Sequence, residues 1–340
     1  MNPLLCDDAL PRYDEIKAGD VAEAVDRMVS EVEAGMTRVE NDTRPAAWAT
    51  VIEELNTVED WFTRVWAPLT HLNAVRNEPA LRDAYQAAQP KVVALGLKMG
   101  QSEALYAKYK AIKEGPEWAK LDGAQRRSIE KRLLAAKLSG IALQGEKKAR
   151  FNKIEEELSQ LSNTFANNVI DTTNEFKLAL AGKADVEGLT ATAKEMLAHS
   201  YARRNPPAKP DPENGPWLLT LDAPVYVAFM QFAKSRTLRE SLYRAYVTRA
   251  SSGGKNNVPL IERTLKLRSE KAALLGYSNY AEVSLAGKMA GSVAEVDALM
   301  DELLRAARKP AEAELKELTA LANASGQAGP LDHWDVSYWA

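Results

Sequence analysis

The chain has 340 residues, enough for one large core or two modest ones. Its 44 basic residues are outnumbered by 47 acidic ones, and a net charge of −3 leaves no uncompensated basic surface for nucleic acid. A single cysteine excludes an internal disulfide framework and fits a reducing compartment, and no run approaches 18 consecutive apolar residues, so no membrane span is expected.

The N-terminus, Met1 to Asp8, has neither the basic region nor the apolar run of a signal peptide, and it is too acidic for a transit peptide. The expected location is therefore the cytoplasm, or an organelle stroma or matrix if a transit segment has been removed.

Nearly every segment has helical periodicity. Asp20 with Glu23 three residues on forms a capping-box pattern. Val21, Val25, Met28, Val32, Met36 and Val39 then recur at helical spacing, and Trp48, Val51, Ile52, Leu55, Val58, Phe62 and Val65 form a second stripe. Pro68 and Pro79 punctuate the next region. A helix over 80–88 is expected to break at Pro90, with further helices over 91–100 and 103–113 and a stop at Gly115-Pro116. Gln125 to Ser139 is helical. Phe151, Ile154, Leu158, Leu161 and Phe165 then keep a three-four alternation within a helix over 146–170. That seam fits a bundle helix better than a dimeric coiled coil, because it lasts fewer than three heptads.

The period then changes. Phe176, Leu178 and Leu180 alternate with other residues, as do Trp217, Leu219 and Leu221. A small antiparallel β ribbon near 174-181 and 216-222 is expected, with a helix over 190–202 and a proline-rich loop over 204–216 between its strands. Helices resume over 224–234, 237–250, 258–275 and 278–289, with Gly276 past the end of the third of these. The glycine-rich stretch Ser251 to Asn257 is a flexible helix-helix turn, since it lacks the spacing of a phosphate cradle. Ser292 and Glu295 form a second capping pattern. Val296, Leu299, Met300, Leu303 and Leu304 make an apolar face, and Pro310 is expected to break or kink that helix. The fold class is mainly α, a multi-helix bundle with one small ribbon. Three domains are expected from these patterns: 1-145, 146-215 and 216-340.

The chemistry-bearing residues are few. His71, His199 and His333 are the three histidines, and they are followed by Leu72, Ser200 and Trp334. None begins a His-Glu-x-x-His helix, in which two imidazoles one turn apart ligate zinc and the glutamate activates the metal-bound water. A zinc site built from distant residues is left little material by so few soft ligands. Cys6 is a poor nucleophile beside Asp7 and Asp8, which disfavour a thiolate. No Gly-x-Ser-x-Gly elbow, Gly-x-x-x-x-Gly-Lys loop or Gly-x-Gly-x-x-Gly turn occurs. No catalytic, cofactor-binding or metal residue is therefore assigned. Two clusters remain open. Arg236, Arg239, Tyr243, Arg244, Tyr246 and Arg249 crowd one segment, and His71 lies near Asn73 and Asn77. For the first, ion pairs with Glu240 and Glu270 are expected to outweigh ligand binding. For the second, loop packing is expected.

Several ordered blocks carry a resemblance. They are Leu-Leu-Thr-Leu-Asp-Ala-Pro from Leu218, Arg-Thr-Leu-Arg-Glu-Ser-Leu-Tyr-Arg-Ala-Tyr-Val-Thr-Arg-Ala-Ser from Arg236, Leu-Arg-Ser-Glu-Lys-Ala-Ala-Leu-Leu-Gly-Tyr-Ser-Asn-Tyr-Ala-Glu from Leu267, and Lys-Met-Ala from Lys288. Weaker blocks start at Leu10, Trp66, Arg82, Gly100 and Trp334. In order and spacing they resemble zinc metallopeptidases of the thimet oligopeptidase and oligopeptidase A family, nearest the oligopeptidase A branch. The resemblance spans almost the whole chain. It implies the N-terminal half of a two-lobed channel peptidase that hydrolyses short peptides. It also implies that zinc, the general base and the transition-state tyrosines and histidine belong to an absent C-terminal half. On this basis Arg239, Tyr243 and Tyr246 become candidates for lining the peptide channel, through bidentate arginine–carboxylate contact. The partners implied are short peptides and the C-terminal catalytic half. Alternatives are a stand-alone helical peptide- or partner-binding module, or a half that complements a separately encoded one. Bare apolar helix faces are expected in such a portion, with poor solubility or self-association.

Overall fold

The computed structural model describes residues 2–6, 10–327 and 329–340. Thirteen α-helices and one two-stranded sheet are present among them, so the fold is mainly α. The chain divides into two units. One comprises 1–163 and 264–293, the other 164–263 and 294–340.

The first unit is built on α1 (Val21–Asn41), α2 (Glu54–Val75) and α3 (Pro79–Gly100). The stripe read in the sequence is the buried face of α1: Val21, Val25, Met28, Val32, Met36 and Val39 all lie in the core. Gly35 lets α2 approach closely, because a Cβ there would come within 2.5 Å of Val58 Cγ2. Trp48–Glu53 forms a wide π-type turn leading into α2. Next come α4 (Glu103–Glu114), α5 (Gly123–Leu138) and α6 (Gly145–Glu175). Ser102 caps α4, and Asp122 with Gln125 makes a reciprocal capping box on α5. Along the α6 seam Phe151 and Ile154 are fully buried, whereas Phe165 is exposed.

In the second unit β1 (Leu178–Leu180) pairs antiparallel with β2 (Trp217–Leu219), with Leu178 opposite Leu219 and Leu180 opposite Trp217. The expected ribbon is present but shorter. Between its strands runs α7 (Ala191–Arg204), capped by Thr190. Behind β2 come α8 (Ala223–Phe232) and α9 (Arg236–Val247). Leu180, Leu197, Trp217, Leu219, Phe229 and Leu242 form the core of this unit. Gly188 is required where it stands: its φ is +88°, and a Cβ would lie 2.3 Å from the Phe232 carbonyl oxygen. The remaining helices are α10 (Val258–Leu274), α11 (Tyr280–Leu285), α12 (Val293–Ala324) and α13 (His333–Trp339). Gly276, at φ +81°, ends α10 as expected.

Four sequence expectations are corrected. Pro68 does not punctuate but lies inside α2. Pro90 does not split α3, and Pro310 does not break α12. Each proline removes one amide donor, but the carbonyl four residues back belongs to an exposed residue (Arg64, Gln86 and Ala306), where water can satisfy it. The fourth concerns Asp20, whose carboxylate does not cap α1. It accepts from the backbone N–H of Lys17 at 2.8 Å and closes the preceding turn. No described helix is long and apolar enough to cross a membrane.

Candidate functional site

The arginine–tyrosine segment is α9, which begins at the Ser235 cap. Its 3.6-residue repeat brings Arg239, Leu242, Tyr243 and Tyr246 to one face. Arg239 is 1% exposed. Its Nε donates to the Trp334 carbonyl at 3.1 Å, its Nη1 to the Ala233 carbonyl at 2.7 Å, and its Nη2 to Asp335 Oδ1 at 3.0 Å. The guanidinium also lies 4.0 Å from the centre of the Tyr338 ring. Each of its three nitrogens is therefore engaged within the protein.

Asp335 is the counter-charge, and it is fully buried. Arg236 brackets it from the other side, with Nε at 3.0 Å from Oδ1 and Nη2 at 2.8 Å from Oδ2; Nη2 also reaches Asp332 at 2.5 Å. Burial would raise the Asp335 carboxyl. Hydrogen bonds from Arg236, the Asp332 amide and Arg239 outweigh that and hold it below the ordinary carboxylate range. Burial pulls Arg239 below its ordinary value despite the Asp335 contact, and a guanidinium stays charged under that pull. The result is a two-arginine clamp that fastens α13 to α9.

Around the clamp are aromatic contacts. Arg244 pairs with Glu240 at 2.8 Å and lies over Trp334. Tyr243 stacks near His333 with ring centres 5.8 Å apart. Tyr226 and Tyr246 stack at 4.0 Å, and Arg249 covers Tyr246 while donating to Thr173. Glu240 is thus an ion-pair partner as expected. In the first unit Arg150 takes both oxygens of Glu270 at 2.6 Å. Sequence reasoning missed Asp335. Its signal was an Asp332–Asp335 pair around Trp334, next to an α9 arginine that falls on an otherwise apolar helix face.

The other candidates are structural or solvent-facing. His71 lies edge-on to Tyr13, with ring centres 5.2 Å apart. Asn77 donates to the Asn73 carbonyl at 2.5 Å and accepts from Arg82, so this cluster packs the α2–α3 turn. Asn257 anchors the end of the glycine-rich turn, accepting from Asn168 at 2.8 Å and donating to the Phe165 carbonyl at 3.1 Å. Cys6 is partly buried, and its Sγ donates to the Asn2 carbonyl at 3.5 Å; Asp7 and Asp8, invoked against its reactivity, lie outside the described residues.

A cleft of about 620 Å³ opens between α7 and the start of α8, a size that suits a small ligand or a few peptide side chains. Met196, Pro224 and Val225 give it an apolar floor, with Glu195, His199, Arg203 and Asp222 around them. His199 Nε2 is 3.8 Å from Glu195 Oε1. Ser200 also borders the cleft but succeeds His199 directly, and neighbours in a helix do not face each other, so the two form no nucleophile–base pair.

A protein zinc site needs three or more convergent donors. Among the described residues no group of three or more His, Cys, Asp or Glu side chains is arranged to hold a metal ion. In the first unit His71 packs on Tyr13; in the second His199 borders the cleft while His333 stacks near Tyr243, so those two share no site. The described residues therefore do not fit zinc.

The chain also aligns with known proteins. Residues 25–148 match the model of the neurolysin/thimet oligopeptidase N-terminal domain, and residues 229–340 match peptidase family M3. The probable cytosolic oligopeptidase A of Arabidopsis thaliana is 41% identical over all of this chain and 48% of its own length. The chain belongs to the thimet oligopeptidase/oligopeptidase A family. The organellar oligopeptidase A (chloroplastic/mitochondrial) of the same plant is also 41% identical, over 43% of its length. Oligopeptidase A of Escherichia coli K12 is 36% identical over 49% of its length. The chain spans about half the length of these curated relatives. Within this oligopeptidase-family chain, both halves of the arginine clamp fall inside the M3 match.

Proposed function

We propose that this chain is the N-terminal portion of a zinc-dependent oligopeptidase that hydrolyses short peptides, and that alone it does not cleave them. One observation carries the reading: the identity runs through the whole chain yet covers only 48% of a cytosolic oligopeptidase A, while no histidine here begins His-Glu-x-x-His. The zinc ligands and general base then belong to a C-terminal catalytic half, which is this chain's main partner. The arginine clamp supports a scaffold role, because Arg239 spends its guanidinium on Asp335 and backbone carbonyls rather than on a ligand. The names of the relatives support a cytosolic or organellar setting.

The test is incubation of the purified chain with an internally quenched peptide, with and without added zinc. The expected result is no turnover. Chelator-sensitive cleavage by the pure chain would refute the proposal.

A second reading, a stand-alone peptide- or partner-binding module, is favoured by the α7–α8 cleft. The reading frame beyond Ala340 separates the two. A continuing frame that encodes His-Glu-x-x-His supports the first. A stop codon, together with saturable peptide binding abolished by Met196→Trp, supports the second.

A further inference from the structure

The net charge of −3 hides a local excess on the first unit. Helix α5 carries five basic side chains and one acidic one, and α4 carries three basic and two acidic ones. Part of that charge is matched. Arg132 donates to Glu59 at 2.9 Å, Lys113 meets Glu130 at 3.1 Å and Lys110 lies 3.8 Å from Glu114. Arg126 is engaged by the Trp118 and Ala119 carbonyls and by the Trp118 ring. Arg127, Lys131 and Lys137 are exposed, and among the described residues none of the three has a carboxylate partner.

These three cations share one side of α5. Steps of four, three and three residues lead from Arg127 through Lys131 and Leu134 to Lys137, while the buried Ile129 and Ala136 point the opposite way. The strip is about 15 Å long at the standard rise. It borders two concavities. One, of about 290 Å³, lies between α4 and α5, with Tyr106, Leu133 and Leu134 as its apolar floor and Lys137 at its rim. The other, of about 540 Å³, runs along α5 over Ala124, Ser128 and Ala135 beside Arg127 and Lys131, and no described acidic side chain lines it.

An anion complements such a strip, and the surroundings select which kind. No large hydrophobic side chain of residues 76–164 is exposed, so nothing beside the cations inserts into a bilayer. Trp118 is covered by Lys113 and Arg126 rather than open to a nucleobase, and three cations give phosphate backbone only a weak, salt-sensitive hold. A peptide matches both parts, with carboxylates for the cations and an apolar side chain for the floor.

We infer that the α4–α5 surface docks an acidic peptide segment, its carboxylates on Arg127, Lys131 and Lys137 and an apolar side chain on Tyr106, Leu133 and Leu134. Arginine takes a carboxylate bidentately, and lysine takes it as a point charge. The inference does not rest on the peptidase reading, since the surface uses no metal and binding is read without cleavage.

The test titrates the full chain into a fluorescein-labelled peptide repeating Glu-Glu-Leu and reads anisotropy. Repeats of Gln-Gln-Leu and Glu-Glu-Ser are the controls for charge and for the apolar side chain. Saturable binding of the first probe is expected, weakened by added salt and weaker for both controls. It should fall about tenfold in the triple variant Arg127→Gln, Lys131→Gln, Lys137→Gln and persist in Arg127→Lys, Lys131→Arg, Lys137→Arg. These side chains are exposed, so an unchanged circular dichroism spectrum verifies that each variant folds. Absence of binding overturns the inference, as does equal binding of either control or indifference to the glutamine variant. Tighter binding of a single-stranded oligonucleotide or of phosphatidylserine vesicles also overturns it, because the partner is then another polyanion. So does self-association in sedimentation that the glutamine variant abolishes, since the occupant is then a second copy.

Discussion

Helices α1 and α12 carry the same kind of apolar stripe and end in opposite environments. In α1, eight of 21 residues are buried, and Met28 and Val32 have no exposed surface. In α12, one of 32 is buried, and Leu303 is 54% exposed. Both stripes track the helical repeat, and both are legible from spacing alone. Spacing says which face seeks cover, while the cover itself comes from residues elsewhere. For α1 these lie on α2 and α3. For α12 the cover is partial, and Leu299, Met300, Leu303 and Leu304 stay roughly half exposed.

The contrast breaks most sharply at the arginine clamp, where burial depends on one carboxylate. Asp335→Ala leaves Arg239 buried with one counter-charge gone, and it is expected to destabilise the second unit by about 3–5 kcal/mol. Urea unfolding monitored by tryptophan fluorescence checks this, since Trp334 and Trp339 both ride on α13. The same pair makes α13 sensitive to acid. The Asp335 carboxyl is depressed when folded, so its stabilising share is present above the unfolded value, about 4, and is lost as pH falls through the lower folded value. Release of α13 below about pH 4 is expected, and Asp335→Asn should remove that pH dependence. Acid fluorescence curves that coincide for the two proteins would contradict the assignment.

The next effect sharpens the α1 side. Met28→Ala removes a fully buried side chain from the first core, at an expected cost of about 2–5 kcal/mol. A smaller change in the first unit's urea midpoint would mean that the α1 face collapses around the cavity.

Most helices were legible from apolar periodicity. The caps the structure shows at Ser102, Thr190 and Asn279 went unread in the sequence, and the helices were found without them. The prolines were not legible, because a local rule competes with distant packing. Leu81, Tyr85 and Ala88 before Pro90 and Val92 and Leu95 after it bury on one continuous face, so tertiary burial holds α3 together across the proline. Asp335 was not legible because its partners, Arg236 and Arg239, lie 99 and 96 residues away in the chain. The Arg150 partner of Glu270 was missed for the same reason, since the two lie 120 residues apart in the chain. The candidate cleft also has no local signature, since α7 and the start of α8 meet only in three dimensions. The proline case carries a modest prediction. Pro90→Ala restores one amide donor at an exposed position and should stabilise the first unit by about 1–2 kcal/mol, read from its urea midpoint. That is less than the roughly 3 kcal/mol intrinsic penalty, because the unfolded chain regains freedom.

The smallest expected effect is the most telling about α12. Leu303→Ala is the same chemical cut as those that cost several kcal/mol in a core, yet here it should change the chain's stability by no more than about 0.5 kcal/mol, because the side chain loses few contacts. The measurement is the urea midpoint of the second unit, set beside that of Met28→Ala in the first. If Leu303→Ala instead costs more than about 2 kcal/mol, the stripe is already covered in solution by the chain itself or by a copy of it, and α12 is no longer open to a partner. If its midpoint is unchanged, the same leucine contributes nothing to this chain's folding, in contrast to Met28.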